Sequence, residues 1–496
     1  MHQNGETAPE SYCLSTKGRI VISPLIVYNN SFWEAATPHQ RRSSLFPTIW
    51  TIQSAVTALL LEQTQPTSSP SSPAAKDYNT PSELYSQGFN FRSFTDQGVD
   101  PRTGQYTYNI PVYDAPASLR NGPELRLHLF FNPLNTENIG FGNAWSLNLS
   151  QYCRSRQTLN LSTGEHYKVV TEASGTLTLK DQKLKSLLFE RAGQDYKVTH
   201  KSGQIEILSD LNGAYDTAVP IRLYAPNGRS LILVWEAAGP RRQLTAIQDE
   251  NGQHDLLRIS YTDAQTEIIR HPDHPTEKSA LTLTLQNQQL TQIQLPLEGS
   301  PSWKFTYQAL GDYTCATQVT SPTGLVEDIQ YKQDGHRLPD DAPYTTIPYV
   351  IAHTVRSGYQ QPEIKITYRY SGRNFLGYNS GHRWEAGEDN LYLALNNYEY
   401  TTTVKLEGGS APHQTITQTY NRFHLMVEYT QKIGHKEIIQ DTEYYAHPNI
   451  EFPQQPPHCQ LPIKATVTYR DTATLASRTE TAHYTFDTWG NLLKTI

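Results

Sequence analysis

A strand-and-turn unit that recurs about every 24 residues limits the fold of this sequence more than any other feature. In Gln243–Thr262, an extended run ends at the turn Glu250-Asn251-Gly252, and a second extended run, Leu256–Tyr261, follows. The phrase QLTAIQ that opens this unit returns as QLTQIQ at Gln289. Successive side chains of an extended chain point to opposite faces, and a glycine after asparagine favours a hairpin turn. The unit is therefore predicted to be strand, glycine turn, strand.

The predicted turns recur at a nearly constant spacing. The steps between them are 25, 24, 23, 24, 25 and 24 residues. Two strands of about eight residues and two turns fill such a period. A repeat of this length indicates a unit that buries its apolar face against neighbouring copies. We therefore predict an all-β array of antiparallel hairpins, with structural turns at Gly203, Gly228, Gly252, Pro275, Gly299, Gly324 and Pro348.

The chain of 496 residues is too long for one compact core and divides by composition into three parts. Residues 1–83 contain the low-complexity run PTSSPSSPAA and are predicted to be mostly disordered, with one helix near 45–62. Residues 84–197 are predicted to form a small β module, and residues 198–496 form the hairpin repeat region. Residues 374–397 interrupt the repeats, and we predict an irregular surface excursion there, where ligand contacts are most expected.

The predicted helix, Leu45–Leu61, admits three interpretations. Its apolar run of about 16 residues is shorter than the roughly 20 residues of a membrane span. A signal peptide would begin about 40 residues late, and Arg41-Arg42 match an export signal only loosely. We favour a helix that docks onto the following domain or onto a partner.

Composition narrows the classes of function. The net charge of −7 and the pI near 6.2 argue against a nucleic-acid partner, which requires a basic surface. Thirty-one tyrosines against 14 phenylalanines suit strands with one wet face, because a phenol covers apolar surface while its hydroxyl reaches water. No CxxC motif is present, and we predict buried free thiols, with long-range disulfides left open, at Cys13, Cys153, Cys315 and Cys459.

Several stretches carry a resemblance to a known family. The phrase LTAIQDENG and the C-terminal YTFDTWGNLLKTI, with its turn at Gly490, resemble the Tyr-Asp (YD) repeats of RHS proteins. One departure is Ala144, where the family pattern favours glycine before the tryptophan. Further stretches resemble, in the same order, the region before the repeat core of bacterial RHS proteins: Val99–Val112, Gly122–Asn135, Gly140–Tyr152, Leu161–Val169 and Thr419–Thr430.

The resemblance implies a function as well as a fold. RHS proteins are akin to the C component of insecticidal toxin complexes, and some are called sugar-binding. The family implies a curled β-sheet, a partial shell, that encloses or presents a C-terminal effector and acts in virulence. We therefore expect a non-enzymatic scaffold that forms the front part of such a shell, with downstream shell segments or toxin-complex subunits as partners. The resemblance also implies secretion or display at the cell surface; without a clear signal peptide, a cytoplasmic location before export remains open.

Few residues are of types suited to ligand binding or catalysis. Tyr378, Trp384 and Tyr392 are candidates for an aromatic platform that binds a sugar ring, or alternatively pack against the sheet. They support a second hypothesis, a carbohydrate-binding or adhesion module. A hydrolase is the third, because the excursion contains groups suited to acid and base catalysis, His382, Glu385, Glu388 and Asp389.

Metal and cofactor sites are not predicted. His271, Asp273 and His274 are residues of types that bind metal ions, but the prolines around them favour a solvated hairpin turn. The sequence has neither a glycine-rich phosphate loop nor a G-x-S-x-G motif. We predict no catalytic residues, no metal and no cofactor.

Overall fold

A computed structural model of the protein describes residues 84–114, 122–135, 137–180, 182–394, 397–408 and 412–496, which belong to one compact unit. The described helices are single turns, at Gln87–Asn90, Arg92–Thr95 and Phe452–Gln454. The strands are β1 (Gly98–Val99), β2 (Tyr106–Asp114), β3 (Arg126–Phe131), β4 (Trp145–Leu147), β5 (Gln151–Cys153), β6 (Thr158–Asn160), β7 (His166–Thr171), β8 (Leu177–Leu179), β9 (Leu187–Ala192), β10 (Asp195–His200), β11 (Ile205–Ser209), β12 (Thr217–Tyr224), β13 (Ser230–Ala238), β14 (Arg241–Gln248), β15 (Asp255–Tyr261), β16 (Gln265–Arg270), β17 (Ser279–Gln286), β18 (Gln289–Gln294), β19 (Ser302–Leu310), β20 (Tyr313–Thr320), β21 (Val326–Arg337), β22 (Thr346–Arg356), β23 (Ile364–Tyr370), β24 (Glu399–Gly408), β25 (Gln414–Asn421), β26 (Met426–Ile433), β27 (Lys436–Tyr444), β28 (Pro462–Asp471), β29 (Ser477–Phe486) and β30 (Leu492–Thr495).

One large antiparallel sheet dominates the molecule. From β9 to β30, each strand pairs antiparallel with the next one along the chain. Strands β5 to β8 form a smaller group that joins this sheet where β5 pairs with the start of β12. The predicted class, an all-β fold of antiparallel hairpins, is confirmed.

A separate four-stranded sheet, β1 to β4, packs on one face of the large sheet. Its buried side chains, such as Val112, Leu127 and Trp145, share one hydrophobic core with residues from β12 to β24. Burying a side chain of this size contributes about 1.5–3 kcal/mol, so this contact is a major source of stability. A hydrogen bond also crosses it, from Trp145 Nε1 to the hydroxyl of Tyr307 at 2.8 Å.

The repeat is visible as a recurring hydrogen bond. The hydroxyl of Tyr261 donates to the carbonyl of Leu244 at 2.8 Å, and Tyr307 donates to Leu290 in the same way at 2.7 Å. Leu244 and Leu290 are the leucines of the two QLTxIQ phrases. Burial raises the pKa of both phenols well above the ordinary value, so both remain protonated donors. The tyrosines of the repeat thus tie together the two strands of one hairpin.

Most of the predicted turns lie between strands, but one does not. Gly203, Gly228, Gly252, Gly299, Gly324 and Gly490 all lie between strands with positive φ, from +68° to +87°. Pro275 also lies between strands, but the turn predicted at Pro348 is wrong, because this residue is within β22. Its backbone carbonyl accepts a hydrogen bond from Gln105 Nε2 at 2.8 Å, so the proline is part of a strand buried under the turn before β2.

The interruption at 374–397 is irregular, as predicted, but it is not simply a surface excursion. Its described part lies between β23 and β24 and buries Phe375, Leu376 and Leu391 in a second core that it shares with residues of β20, β22, β24 and β25. The helix predicted near 45–62 lies outside the described residues, as does the rest of residues 1–83. The boundary proposed between residues 197 and 198 stays a prediction.

Candidate functional site

A polar cleft of about 250 Å³ opens where the regular pairing of β21 and β22 breaks down. The pairing passes from Lys332 opposite Tyr349 to His336 opposite Ile347, so β21 advances by more residues than β22. Such a bulge re-aims side chains and is frequent beside functional sites. The cleft is lined by Lys332, Gly335, His336, Arg337, Tyr349, Tyr370, Ser371, Gly372, Asn374 and Tyr378.

Two glycines make the bulge possible. A Cβ on Gly335 would lie 2.6 Å from the carbonyl oxygen of Ile347, and 2.6 Å from a ring carbon of Tyr349. At Gly104 a Cβ would meet Tyr349 Cβ at 2.8 Å, and this residue also has φ of +71°. Gly104 belongs to the turn before β2, and its carbonyl accepts a hydrogen bond from Val350 N at 2.9 Å. The small sheet therefore supports the back of the cleft.

The inner wall of the cleft contains two buried polar atoms that lack a hydrogen-bond partner within the described residues, His336 Nε2 and the hydroxyl of Tyr370. His336 is only 3% exposed, and its ring lies 5.0 Å from that of Tyr370. Burial lowers the pKa of His336 to about 3, so the imidazole is neutral near pH 7. Burial raises the pKa of Tyr370 well above its usual value, so its hydroxyl stays a donor. Both atoms are sealed from solvent, so neither is open to a ligand in the cleft.

The rim of the cleft is positively charged. Lys332 and Arg337 are both exposed, and no carboxylate belongs to the described lining. Arg337 Nη1 donates to the hydroxyl of Tyr378 at 3.3 Å, and the Lys332 ammonium lies 5.8 Å from the centre of the Tyr349 ring. Asp334 lies close enough to interact electrostatically with Arg337. The rim still carries two cations in a protein whose net charge is −7.

The three aromatic residues predicted as a sugar platform lie in different environments. Tyr378 is half-buried and lines the cleft. Trp384 is buried in the core of the 374–397 segment, and Tyr392 is buried in a neighbouring cluster where its ring stacks on Phe452 at 4.0 Å. Stacking on a sugar requires an accessible ring face, so a carbohydrate contact would fall to Tyr378. That contact stays a prediction.

Two of the four acid and base candidates of the same segment, Asp389 and Glu388, make structural contacts. Asp389 is 3% exposed and accepts hydrogen bonds from His424 Nε2 at 2.8 Å and from Gln87 N at 2.6 Å. Glu388 forms an ion pair with Lys180, while Glu385 is exposed and His382 is half-buried. Asp389 therefore ties the 374–397 segment to the turn between β25 and β26 through His424, and to the residues before β1 through Gln87.

The histidines of the RHPDHPTE stretch lie in the turn between β16 and β17. His274 Nδ1 accepts a hydrogen bond from Glu277 N at 3.1 Å, a contact that shapes the turn. Across the described ranges, His, Cys, Asp and Glu nowhere gather in a group of three or more that could hold a metal ion. Within the same ranges, no helix is long and apolar enough to cross a membrane.

Sequence reasoning missed the cations and the histidine of this cleft. Lys332, His336 and Arg337 belong to a run that reads as an ordinary strand. The available signal was Gly335, because a glycine inside a strand often marks a bulge or a close backbone approach. Tyr378 lies about 40 residues further along the chain. Only the pairing of β21 with β22 and of β22 with β23 brings it to these residues, so no local signal could have joined them.

Comparison with known proteins adds little. No family model matches the sequence, and no curated protein matches it. Among solved structures, the chain is similar to one of the Tc holotoxin pore of Photorhabdus luminescens, with 10% identity and a TM-score of 0.16. The match covers 76% of this chain and 23% of that one, so this chain spans less than a quarter of its length. A likeness at this TM-score carries no argument about function.

Proposed function

We propose that the protein is a non-enzymatic scaffold, a part of an RHS-type β-sheet shell that encloses or presents an effector. In this proposal it works outside the cell that makes it, and its partners are proteins of the same assembly. The observation that carries the proposal is the unbroken order of pairing from β9 to β30, because a sheet built hairpin by hairpin extends in one direction and forms a continuous wall.

The packing of the small sheet supports the same proposal. Strands β1 to β4 cover the apolar face of the large sheet over the region from β12 to β24. The end of the last hairpin leaves apolar residues on the outside, among them Leu493 at 64% exposed and Ile496 at 71% exposed. Exposed apolar residues on a strand suit contact with another protein segment. The sealed Asp389–His424 pair also favours a structural role over a catalytic one.

The experiment is co-expression with a longer RHS-repeat protein as the partner. We expect the two to copurify, and we expect the complex to protect Asn491–Ile496 from hydrogen exchange. Leu493→Lys should weaken the complex at least tenfold. A chain that binds no RHS-repeat partner contradicts the scaffold proposal.

A carbohydrate-binding module is the second candidate, and the polar cleft is the observation that favours it. The cleft places a half-buried tyrosine, Tyr378, beside an arginine and a lysine. Glycan-array binding that Tyr378→Ala abolishes would support this function. Trp384→Ala is unsuitable as the test, because a buried tryptophan also supports the fold.

A further inference from the structure

Strands β5 to β8 pack on the beginning of the large sheet through a hydrophobic core that the two parts share. Buried side chains from both, such as Tyr167 on β7 and Val198 on β10, belong to one cluster. His200 lies on the same face of β10 as Val198, because residues two apart on a strand share a face, and Glu206 on β11 is paired with Val198. A histidine and a carboxylate therefore occupy positions where the pattern of this core predicts apolar side chains.

Glu206 is a buried carboxylate whose closest partner is the histidine. Its side chain is only 2% exposed, and its Oε1 lies 2.6 Å from His200 Nε2. The hydroxyl of Ser162, in the turn between β6 and β7, donates to the same oxygen at 3.4 Å. A buried carboxylate is costly unless a positive charge and hydrogen bonds compensate for it. Protonated His200 supplies that charge.

A second buried carboxylate acts on the same imidazole. Glu165 also lies in the turn between β6 and β7, is 6% exposed, and interacts electrostatically with His200. Its Oε2 accepts a hydrogen bond from Thr163 Oγ1 at 2.9 Å. The histidine is thus the cation shared by two carboxylates, Glu165 of the turn and Glu206 of β11.

The other described elements around His200 are neutral here or have their charges engaged elsewhere. On β9, the residue paired with His200 is Leu187. The ammonium of the neighbouring Lys201 donates to Asn491 Oδ1 in the last hairpin at 2.7 Å. The two carboxylates are therefore the charged groups that decide the protonation of this ring.

We propose that His200 is a proton-controlled latch that joins the turn between β6 and β7 to the hairpin of β10 and β11. With its proton, the imidazolium holds Glu165 and Glu206 together. Without it, the neutral ring can still donate one hydrogen bond, but it no longer balances two negative charges in a buried site. The turn then separates from the hairpin more often, and strands β5 to β8 are held less tightly on the large sheet.

The pKa of His200 sets the direction of the effect. Burial lowers this pKa, but the hydrogen bond and charge of Glu206, with the charge of Glu165, outweigh burial and raise it above the ordinary value of 6.5. The stability that the latch contributes is therefore complete below about pH 6.5, the value for the unfolded chain, and is lost as the pH rises through the higher folded value. The latch is closed in mild acid and opens in alkali.

Hydrogen exchange read by mass spectrometry measures the latch in the full-length protein. The reporters are the amides of Leu161 and Gly164, which donate to carbonyls within the turn. After correction for the intrinsic pH dependence of exchange, we expect these amides to open about tenfold more often at pH 9 than at pH 6. His200→Gln cannot be protonated, so its turn should open equally often, and at the higher rate, at both pH values.

Two further variants separate a proton-controlled latch from a purely structural contact. Glu206→Gln removes the nearer carboxylate, so it should reduce the pH effect to less than about threefold and lower the pKa of His200 in an NMR titration of its ring. His254→Gln removes an exposed histidine before β15 and should keep the pH dependence of the wild type. The amides of β24 and β25 are the internal reference for folding and should exchange at the wild-type rate in every variant.

Two results would overturn the proposal. One is a wild-type turn that opens equally often at pH 6 and pH 9; the contact of His200 with Glu206 would then be structural only. The other is a pH effect that persists in His200→Gln, because another group would then be responsible for it.

Discussion

At the scale of single residues, backbone conformation explains features that side-chain chemistry does not. Ala144 has φ of +71° and is fully buried before Trp145. The left-handed region costs roughly 1–2 kcal/mol for a residue with a Cβ, and glycine avoids this cost. The glycine that the family pattern favours at this position therefore has a local physical reason. The alanine keeps the same backbone, and its carbonyl accepts a hydrogen bond from Asn132 N at 2.9 Å.

His336 makes the stability of the protein dependent on pH. Burial, together with the charge of Lys332, lowers its pKa from 6.5 to about 3 in the folded state, despite a hydrogen bond to the backbone of Thr103. The unfolded state therefore binds a proton first as the pH falls, and stability is lost from about pH 6.5 downwards. By about pH 5 we expect this residue alone to cost about 2 kcal/mol.

Urea unfolding at neutral and at mildly acidic pH measures this effect. His336→Gln has no titrating ring, so its stability should fall less between the two conditions than that of the wild type. The same pH dependence in both proteins would show that other groups control it.

Gly252 is expected to matter through its backbone alone. Its φ is +68°, and an added Cβ would make only ordinary contacts, at 3.5 Å to Gln248 Oε1 and 3.6 Å to Ile232 Cδ1. Gly252→Val should therefore cost about 1–3 kcal/mol from strain rather than from collision. Gln253→Val, at the exposed next position, is the control and should change the free energy of unfolding by less than about 0.5 kcal/mol. Equal costs in the two variants would contradict this explanation.

At the scale of elements, the bulge in β21 is the structure on which the cleft depends. It separates the regular part of the strand, up to Lys332, from His336 and Arg337. The turn before β2 supports it from behind, and the segment after β23 closes one side with Asn374, whose Nδ2 donates to the carbonyl of Arg337 at 2.8 Å. Three segments that are far apart in the sequence thus form one site.

Two glycines of the cleft provide a matched test of this arrangement. A methyl group on Gly335 would collide with backbone atoms of β22, whereas one on Gly372 meets nothing within 4 Å. Gly335→Ala should therefore destabilise the protein by about 1–3 kcal/mol, and Gly372→Ala by less than about 0.5 kcal/mol. Thermal unfolding of the two variants measures the difference. A Gly335→Ala variant as stable as the wild type would show that the bulge yields easily.

The sequence predicted these elements better than it predicted their contacts. Spacing and turn chemistry were sufficient for the hairpins, because the glycine turns and alternating strands are local signals. They failed at Pro348, where a proline resembled a turn but occupies a buried strand. They also could not join Lys332 to Tyr378 or reveal that Trp384 is buried, because both depend on pairing and packing between distant segments. Of the three aromatic residues predicted as a sugar platform, only Tyr378 lines the cleft.

At the scale of the whole molecule, the two ends of the strand series come into contact. Leu184, just before β9, packs with a cluster from β28 and β29, and it lies against Gly490 in the turn before β30. Lys201 Nζ donates to Asn491 Oδ1 at 2.7 Å. The last hairpin is therefore anchored to the beginning of the large sheet, and its position does not depend on β29 alone.

The strand β30 is expected to drive self-association of the isolated protein. All four of its residues are exposed, and an apolar strand at the edge of a sheet can pair with another chain. We predict oligomers in sedimentation experiments at tens of micromolar, and a monomer when Leu493 and Ile496 are both replaced by lysine. Lys304→Gln, on the exposed face of β19, is a control that should not change the oligomeric state. A clean wild-type monomer would contradict the prediction.

Contacts of the segment around the small sheet join residues that are made at very different times during translation. Arg102 contacts the carbonyl of His424, 322 residues later in the chain, and Tyr106 contacts Glu327, 221 residues later. At roughly 5–20 residues per second, the ribosome needs on the order of 15 to 60 seconds after Arg102 to reach His424. Before β12 has been made, the apolar strands β2 to β4 have no part of the large sheet to cover them, so nascent chains arrested before β12 should be cleaved readily in this region by added protease. We therefore expect a chaperone that binds exposed apolar strands to raise the yield of this protein.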